Sequence, residues 1–527
     1  MFKITEGDFK NNDFGNEDYL DNWPMLYILE NGHQAYIGES SHVRKRMMQH
    51  SQNLEKQIFD KVHFIYSKMF NQSVTFDYES KLIQYIVADE LYEVTNKNNG
   101  IADKQYYKKK EYDEKFTVLW RKLEKEKLVK HSIEEIENSD LFKYSPFKEL
   151  NNDQREAVED VLQALERDIA ERLIVNGVPG SGKTIVAVYI MKYLADSEAY
   201  QDKKIGFVVP QTSLRKTMKK IFKSIYGLKP SQVISPSDVV KQKYDLLLVD
   251  ETHRLHQYKN ISYMGTFKKN CEKIGLTTDA DELDWIFKQS KKTVIFYDKS
   301  QVVGPSGIDE DRFNQKISGY NERMIKYYTL STEMRVKGGN DYIDMVKDLL
   351  AGTCKKKYKS NQYDFKLYTE FAKFEKDLYK NEADNGLSRM IAGYAWPWIS
   401  KKDQSLLDIE IQGIKRKWNH CLEGWVHTDA AIDEVGCIHS IQGYDLNYAY
   451  VILGNEIGYD KTEGKIVIYP ENYYDKNGKN TAGYDELLEY IKNIYYVLMT
   501  RGIKGTYLYI CDDYLREYMS QFIEVEK

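Results

Sequence analysis

The segment that leaves this chain least freedom is the turn Gly177-Val-Pro-Gly180-Ser181-Gly182-Lys183-Thr184, preceded by an apolar run at 173–176 and followed by a helix-length stretch at 185–194. Its glycines let the backbone fold back until several N–H groups point at one centre, a geometry suited to phosphate oxygens. A strand before and a helix after are the flanks that make such a turn a Walker A pattern rather than a glycine-rich loop. Lys183 then supplies a cation and the Thr184 hydroxyl a ligand for Mg²⁺, so the expected cofactors are ATP and Mg²⁺. Gly177, Gly180, Ser181 and Gly182 complete the cradle.

Downstream, Tyr244-Asp-Leu-Leu-Leu-Val-Asp250-Glu251-Thr-His253 reads as a buried strand ending in two carboxylates. Asp250 would hold Mg²⁺ through water, and Glu251 would polarise the attacking water. Four apolar runs, LIVNG, IGFVVP, YDLLLVD and TVIFYD, are each followed by a helix-length stretch, which predicts a parallel sheet covered by helices. A second strand-and-helix block runs over 320–527, with YAYVILG and TYLYICD as late strands. Segments 255–292, 400–430 and 455–488 are expected as surface excursions.

A length of 527 residues exceeds what one hydrophobic core supports, so two to four compact units follow. No run approaches the roughly 18 apolar residues of a membrane span, and residues 1–10 lack a signal peptide's apolar core, so the expected location is cytoplasmic with no membrane partner. The five cysteines are scattered without a close pair, as expected of reduced thiols. The net charge of -5 gives no overall basic footprint, so any nucleic-acid groove must be locally basic. Arg44-Lys45-Arg46, Lys104 with Lys108 to Lys110, and the row Arg215, Lys216, Lys219, Lys220 and Lys223 are the candidates.

Further motifs surround the phosphate turn in a fixed order. Leu150-Asn-Asn-Asp-Gln154-Arg155 precedes an amphipathic helix, Phe207-Val-Val-Pro-Gln-Thr-Ser213 begins within the second apolar run, and Phe296-Tyr-Asp298-Lys-Ser-Gln301 begins within the fourth. Leu330-Ser-Thr-Glu-Met-Arg335, His439-Ser440-Ile-Gln442-Gly443-Tyr-Asp445 and Val497-Leu-Met-Thr500-Arg501 complete the series. This ordering resembles superfamily 1 helicases, and the P-loop, the Asp-Glu-Thr-His box and the Ser-x-Gln-Gly-x-Asp stretch resemble the Schlafen group 3-like helicases. The resemblance implies two RecA-like lobes that sandwich ATP. Gln154 would meet the adenine edge, Gln301 would sense the γ-phosphate, and Gly443 would lie where nucleotide state is coupled to the nucleic-acid track. Arg335 and Arg501 would be fingers on the transferring phosphoryl group. One departure is Tyr297, where the family's third motif carries glycine.

The first hundred residues carry a different chemistry. Asn31-Gly32 separates Met25-Leu-Tyr27 from Tyr36-Ile-Gly38, which predicts a two-residue hairpin pairing Tyr27 with Tyr36 on one sheet face. Arg46 and His50 are four residues apart on the next predicted helix, and Glu79 falls on the apolar side of a later one with Leu82, Ile83 and Ile86. A carboxylate on an apolar face is costly unless it is paired or binds a metal. The set resembles the GIY-YIG nuclease family over 24–100. That resemblance implies a single-metal phosphodiesterase: Tyr27 and Tyr36 are the signature tyrosines, Arg46 the phosphate-binding arginine, His50 a histidine of some branches, and Glu79 the ligand of Mg²⁺ or Mn²⁺. Asn99 matches a late asparagine, and Met25 stands where the family's first motif has glycine.

The expected fold is therefore α/β: a small α+β domain (1–105), a charged helical linker (106–145), a first RecA-like lobe (146–318) and a second (319–527). The function read from these motifs is an ATP-dependent nucleic-acid translocase with a fused endonuclease, DNA being favoured over RNA, and by analogy a role in defence against foreign nucleic acid. The alternative reading is an ATP-switched regulatory assembly whose N-terminal domain only binds nucleic acid. A homo-oligomer or a partner protein stays open.

Overall fold

The computed structural model describes residues 2–15, 18–97, 106–147, 150–167, 171–259, 261–479 and 482–526. Asn99 and Lys104, singled out above, lie outside them. By internal packing the chain forms two units. One is Met1–Asn151 with Ile185–Asp202 and Thr217–Val233; the other is Asn152–Thr184, Lys203–Lys216 and Ile234–Lys527.

In the first unit, β1 (Lys3–Asp8), β2 (Met25–Glu30), β3 (Gln34–Ser40), β4 (Lys61–Tyr66) and β5 (Glu93–Val94) form a sheet in the order β1-β4-β2-β3-β5. Helix α1 (Val43–Ser51) follows β3, and α2 (Gln72–Asp89) starts at Asn71, whose side chain accepts the Val74 N–H at 3.1 Å. This N-cap satisfies one of the orphan donors of the first turn.

The hairpin register differs from the one read in the sequence. Leu29 pairs with Tyr36 and Tyr27 with Gly38, so the loop is centred on Gly32-His33 rather than Asn31-Gly32. The reason is local: Asn31 Oδ1 accepts the backbone N–H groups of His33 (3.1 Å) and Gln34 (2.7 Å), and Gly32 takes the positive φ of +83°. Asparagine thus acts as a side-chain acceptor flanking the turn. A two-place shift preserves side-chain parity, so the two tyrosines still share a face, now as diagonal neighbours with ring centroids 6.4 Å apart. Gly38 is required by the new register: a Cβ there would lie 2.3 Å from the Tyr27 ring.

The segment expected as a linker is built into this unit. Helix α3 (Lys109–Lys125) buries Phe116, Leu119, Trp120 and Leu123, and Phe116 lies edge-on to Tyr78 of α2 at 5.3 Å. Its charged residues occupy the remaining faces, as an amphipathic helix on a domain surface requires.

Among the described residues, the second unit contains two large sheets and a two-stranded hairpin. The first has the order β11-β6-β10-β9-β7-β8, from β6 (Arg172–Gly177), β7 (Ile205–Val208), β8 (Val233–Ile234), β9 (Tyr244–Val249), β10 (Ser290–Tyr297) and β11 (Ile325–Leu330). Strands β11, β6, β10, β9 and β7 run parallel. Strand β11 pairs with β6 along its whole length, so the lobe boundary expected at 318/319 lies beyond residue 330. The segment 255–292 is not a surface excursion. Its helices Met264–Lys273 and Glu282–Gln289 bury Phe267, Cys271 and Trp285 in a satellite core, with the Phe267 and Trp285 rings 4.4 Å apart.

The second sheet uses β12 (Asp364–Tyr368), β13 (Ser388–Ala392), β14 (Ile409–Ile411), β15 (Ile414–Trp418), β16 (Glu434–Gly436), β17 (Leu446–Leu453), β20 (Gly502–Ile510) and β21 (Glu524–Glu526), in the order β14-β15-β16-β13-β17-β20-β12-β21. Only β14 is antiparallel to its neighbour. Strands β18 (Ile457–Asp460) and β19 (Lys465–Ile468) make a separate hairpin within the segment 455–488. The central strands β13 and β17 are buried throughout or nearly so, as expected of parallel strands covered on both faces.

Candidate functional site

The phosphate turn leaves β6 and enters the helix Lys183–Asp196. Gly180 and Gly182 hold φ values of +79° and +81°, the conformation that spares them the Cβ penalty of other residues. Lys183 Nζ donates to Gly177 O (2.7 Å) and Val178 O (3.1 Å) and pairs with Asp298 Oδ2 at 3.0 Å, both side chains being almost wholly buried. Burial works against a charge on Asp298, but Lys183, His253 and hydrogen bonds from Ser300 and Gln301 outweigh it and hold the carboxyl below its usual range.

From Asp298 the network continues. Its Oδ2 accepts the Gln301 amide at 2.7 Å, and Gln301 Oε1 accepts Arg501 Nη2 at 3.3 Å. Arg501 is buried and also donates to Val497 O at 3.2 Å. Lys183, at the start of the helix that follows β6, is thereby joined through Asp298 and Gln301 to an arginine immediately before β20 of the second sheet. Tyr297, at the position where the resembled motif has glycine, stacks on Phe313 at 4.2 Å and turns its hydroxyl to Ile308 O (3.2 Å).

Thr184 Oγ1 donates to Asp250 Oδ2 at 2.7 Å. Burial and the neighbouring charge of Glu251 push the Asp250 carboxyl up. Glu251 behaves oppositely: burial alone would raise it, but His253, with Nε2 2.9 Å from its Oε2, and Arg254 keep it low. Glu251 also takes a left-handed backbone (φ 49°, ψ 44°), uncommon for a non-glycine residue and typical of strained functional turns. A hydroxyl and a fully buried carboxylate at this spacing fit a hard divalent cation, which would relieve the Asp250–Glu251 repulsion.

Gln154 is buried and donates to Ser181 O at 2.8 Å, placing the predicted adenine-contacting residue on the phosphate turn. Arg335 forms an ion pair through Nε with Asp445 Oδ1 and reaches Thr500 O at 3.4 Å. Gly443 follows the helical turn Ile438–Ile441, with Gln211 close to its open side. Gln211 donates to Gln442 O at 2.9 Å, while Gln442 Oε1 accepts Arg254. Asp298 as partner of Lys183, and Arg254 as partner of Gln442, were missed in the sequence as functional contacts. Their positions within or beside the quoted motifs are visible there, but which residue each one faces is not. A cavity of about 540 Å³ opens beside Gly177 and Val178, with Asp298, Ser300 and Tyr496 in its wall.

A second polar cluster lies in the N-terminal sheet. Tyr27 Oη is 2.8 Å from His50 Nε2, and the Tyr36 ring lies 5.4 Å from the His50 ring. Arg46 stands beside both phenols. Burial, Arg46 and Lys56 depress His50 to about 4, and burial raises Tyr27 and Tyr36. Burial and the adjacent Glu39 push Glu79 up to about 7. Two half-buried carboxylates side by side fit a divalent cation by the same charge argument. Among the described residues, no group of three or more His, Cys, Asp or Glu forms a metal cluster. Two members of this region were missed in the sequence. Lys56 holds its ammonium 3.2 Å from the Tyr36 ring centroid, and burial lowers it to about 8. Asn96 accepts the Ile37 N–H (3.0 Å) and donates to Ile37 O (2.8 Å), pinning β3 next to Tyr36.

No helix of the described residues is long and apolar enough to cross a membrane. Residues 170–512 match the family described as Schlafen group 3, DNA/RNA helicase domain. An uncharacterized protein of Saccharomyces cerevisiae is 26% identical over 390 residues, which cover 65% of this chain and 82% of that protein. The ATP-dependent DNA helicase RecG of Aquifex aeolicus is 33% identical over 191 residues, covering 32% of this chain and 23% of RecG. Among solved structures, Pif1 helicase from Candida albicans has a TM-score of 0.27 at 12% identity, covering 72% of this chain and 96% of Pif1.

Proposed function

This chain belongs to the Schlafen group 3 DNA/RNA helicase family, and from that premise we propose that it is an ATP-driven translocase on nucleic acid whose N-terminal domain cuts phosphodiester bonds. The observation that carries the motor reading is the buried connection Lys183–Asp298–Gln301–Arg501. In the motor reading, Lys183 exchanges Asp298 for phosphate oxygens when ATP enters. Asp298 and Gln301 then rearrange, and Arg501 is released toward the phosphoryl group. Glu251, kept ionised by His253 and Arg254, orients the attacking water. Thr184 and Asp250 would hold Mg²⁺, which would supply charge neutralisation on the phosphates. Repeated closure and opening of the two lobes around a held strand gives directional movement.

The cutting activity rests on the cluster around Tyr27. His50, kept neutral near pH 7, shares a hydrogen bond with the Tyr27 hydroxyl and positions it, and Arg46 binds the phosphate that the two phenols face. Glu79 would hold a divalent cation, Mg²⁺ or Mn²⁺, which would supply charge stabilisation to the leaving oxygen. Favoured substrates are DNA before RNA.

The test is ATP hydrolysis by the purified chain with Mg²⁺, alone and with single-stranded DNA, duplex DNA or RNA, beside Lys183→Ala. Stimulation by one polymer, lost in the variant, is expected and names the track. Hydrolysis indifferent to all three would overturn the motor in favour of an ATP-switched assembly. Nicking of a supercoiled plasmid by the same protein, abolished in Glu79→Gln, is the matching test of the nuclease reading.

A further inference from the structure

The residue two places before Arg335 sits on the phosphate turn. Glu333 is buried at 7% exposure, and both of its carboxylate oxygens crowd the open side of Gly180, where a Cβ would meet them at 2.0 and 2.2 Å. The neighbouring backbone is tied down as well, since Met334 N–H donates to Gly180 O at 3.1 Å. Oε1 accepts the N–H groups of Arg335 (2.6 Å) and Val336 (3.0 Å), while Oε2 has no hydrogen-bond partner among the described residues. A buried carboxylate oxygen without a partner is costly. An anion fixed against a turn whose N–H groups suit phosphate is a competitor for the same electrostatic site.

We propose that Glu333 determines nucleotide affinity: its carboxylate is a resident anion on the phosphate turn that an incoming polyphosphate must push aside. The same movement reaches the finger. Glu333 Oε1 holds the Arg335 backbone, and Arg335 is paired with Asp445, so displacing Glu333 loosens the segment that keeps the guanidinium on Asp445. Arrival of the polyphosphate is in this way coupled to release of the arginine that would contact it. Glutamine at 333 keeps the shape and the N–H acceptor but removes the charge, and so separates competition from packing.

This inference rests on the reading that the turn binds ATP. It is tested by measuring the Kd of the full chain for ADP, ATP, inorganic pyrophosphate and adenosine, with Glu333→Gln, Glu333→Ala and Lys183→Ala beside the natural protein. Glu333→Gln is expected to bind ADP, ATP and pyrophosphate about tenfold more tightly, with the gain shrinking as salt rises and adenosine binding unchanged. Glu333→Ala should show the same sign, which guards against a fold-specific effect of either variant. Unchanged or weaker polyphosphate binding in both variants would overturn the competitor role. Equal tightening of adenosine would also overturn it, because that would reflect a roomier pocket rather than removed charge. Absence of any nucleotide binding in the natural protein and in Lys183→Ala alike would instead overturn the ATP reading, and this role with it.

Discussion

Apart from Asp250 and Glu333, both pushed up chiefly by burial, the groups of the phosphate turn and those of the N-terminal polar cluster handle charge differently. Around the turn, Lys183 is paired with Asp298, Thr184 with Asp250, Glu251 with His253 and Arg335 with Asp445. In the N-terminal cluster, Glu79 is raised to about 7, His50 lowered to about 4 and Lys56 to about 8, each chiefly by burial. A site whose charges are exchanged among protein partners is built to switch. A site whose charges are held at a desolvation cost is built to receive a ligand that compensates them.

The sharpest way to break this contrast is to remove one arginine from each region. Arg501→Ala severs the connection that begins at Lys183, and ATP turnover is expected to fall about 10³-fold or more, the range of an arginine finger. Plasmid nicking by the same variant should be unchanged. Arg46→Ala is the mirror experiment: nicking falls about 10²-fold while stimulated ATP hydrolysis stays as it was. If either variant lost both activities equally, the two regions would not be separate centres.

Smaller effects sharpen the structural side. Gly38→Ala drives a Cβ into the Tyr27 ring and should destabilise the N-terminal sheet by about 1–3 kcal/mol. Faster amide hydrogen exchange over residues 25–40, with β9 and β10 unaffected, is the expected readout. The second lobe carries one acid that behaves like those of the N-terminal cluster yet lies outside either constellation. Glu456 is fully buried, accepts the Tyr495 hydroxyl, and is raised by burial from 4.5 to about 7. A raised carboxyl contributes stability that is complete below pH 4.5 and is lost as pH rises through about 7. Glu456→Gln should therefore be close to the natural protein in unfolding free energy at pH 5 and exceed it at pH 8 by on the order of 1–2 kcal/mol, with a higher Tm at the upper pH. A Tm difference that is flat across this window would show that the carboxyl is not the titrating group.

Much of the phosphate site was legible because its chemistry is contiguous. The turn, its strand and its helix are adjacent in the chain, and the spacing of Gly177, Gly182, Lys183 and Thr184 fixes the cradle without help from distant residues. Gln301 and Arg501 could be named from motif order, but not the fact that one accepts the other, since 200 residues separate them. The hairpin shows the converse at short range. Parity survived a register shift because strand side chains alternate with period two, while the partner of Tyr27 changed from Tyr36 to Gly38.

By itself, the sequence determined the parallel-sheet character of residues 172–297, the phosphate turn, the strand ending in Asp250 and Glu251, and the set of polar residues on the first hairpin and helices. Periodicity and backbone chemistry are local properties, so they are written residue by residue. Only the tertiary structure decided that Ile325–Leu330 extends the first sheet, that Lys109–Lys125 belongs to the N-terminal unit, that Lys56 and Asn96 flank Tyr36, and that Glu333 lies on Gly180. Each of these is a choice of partner between segments far apart in the chain. Such choices depend on which apolar faces bury each other and where the remaining charges come to rest.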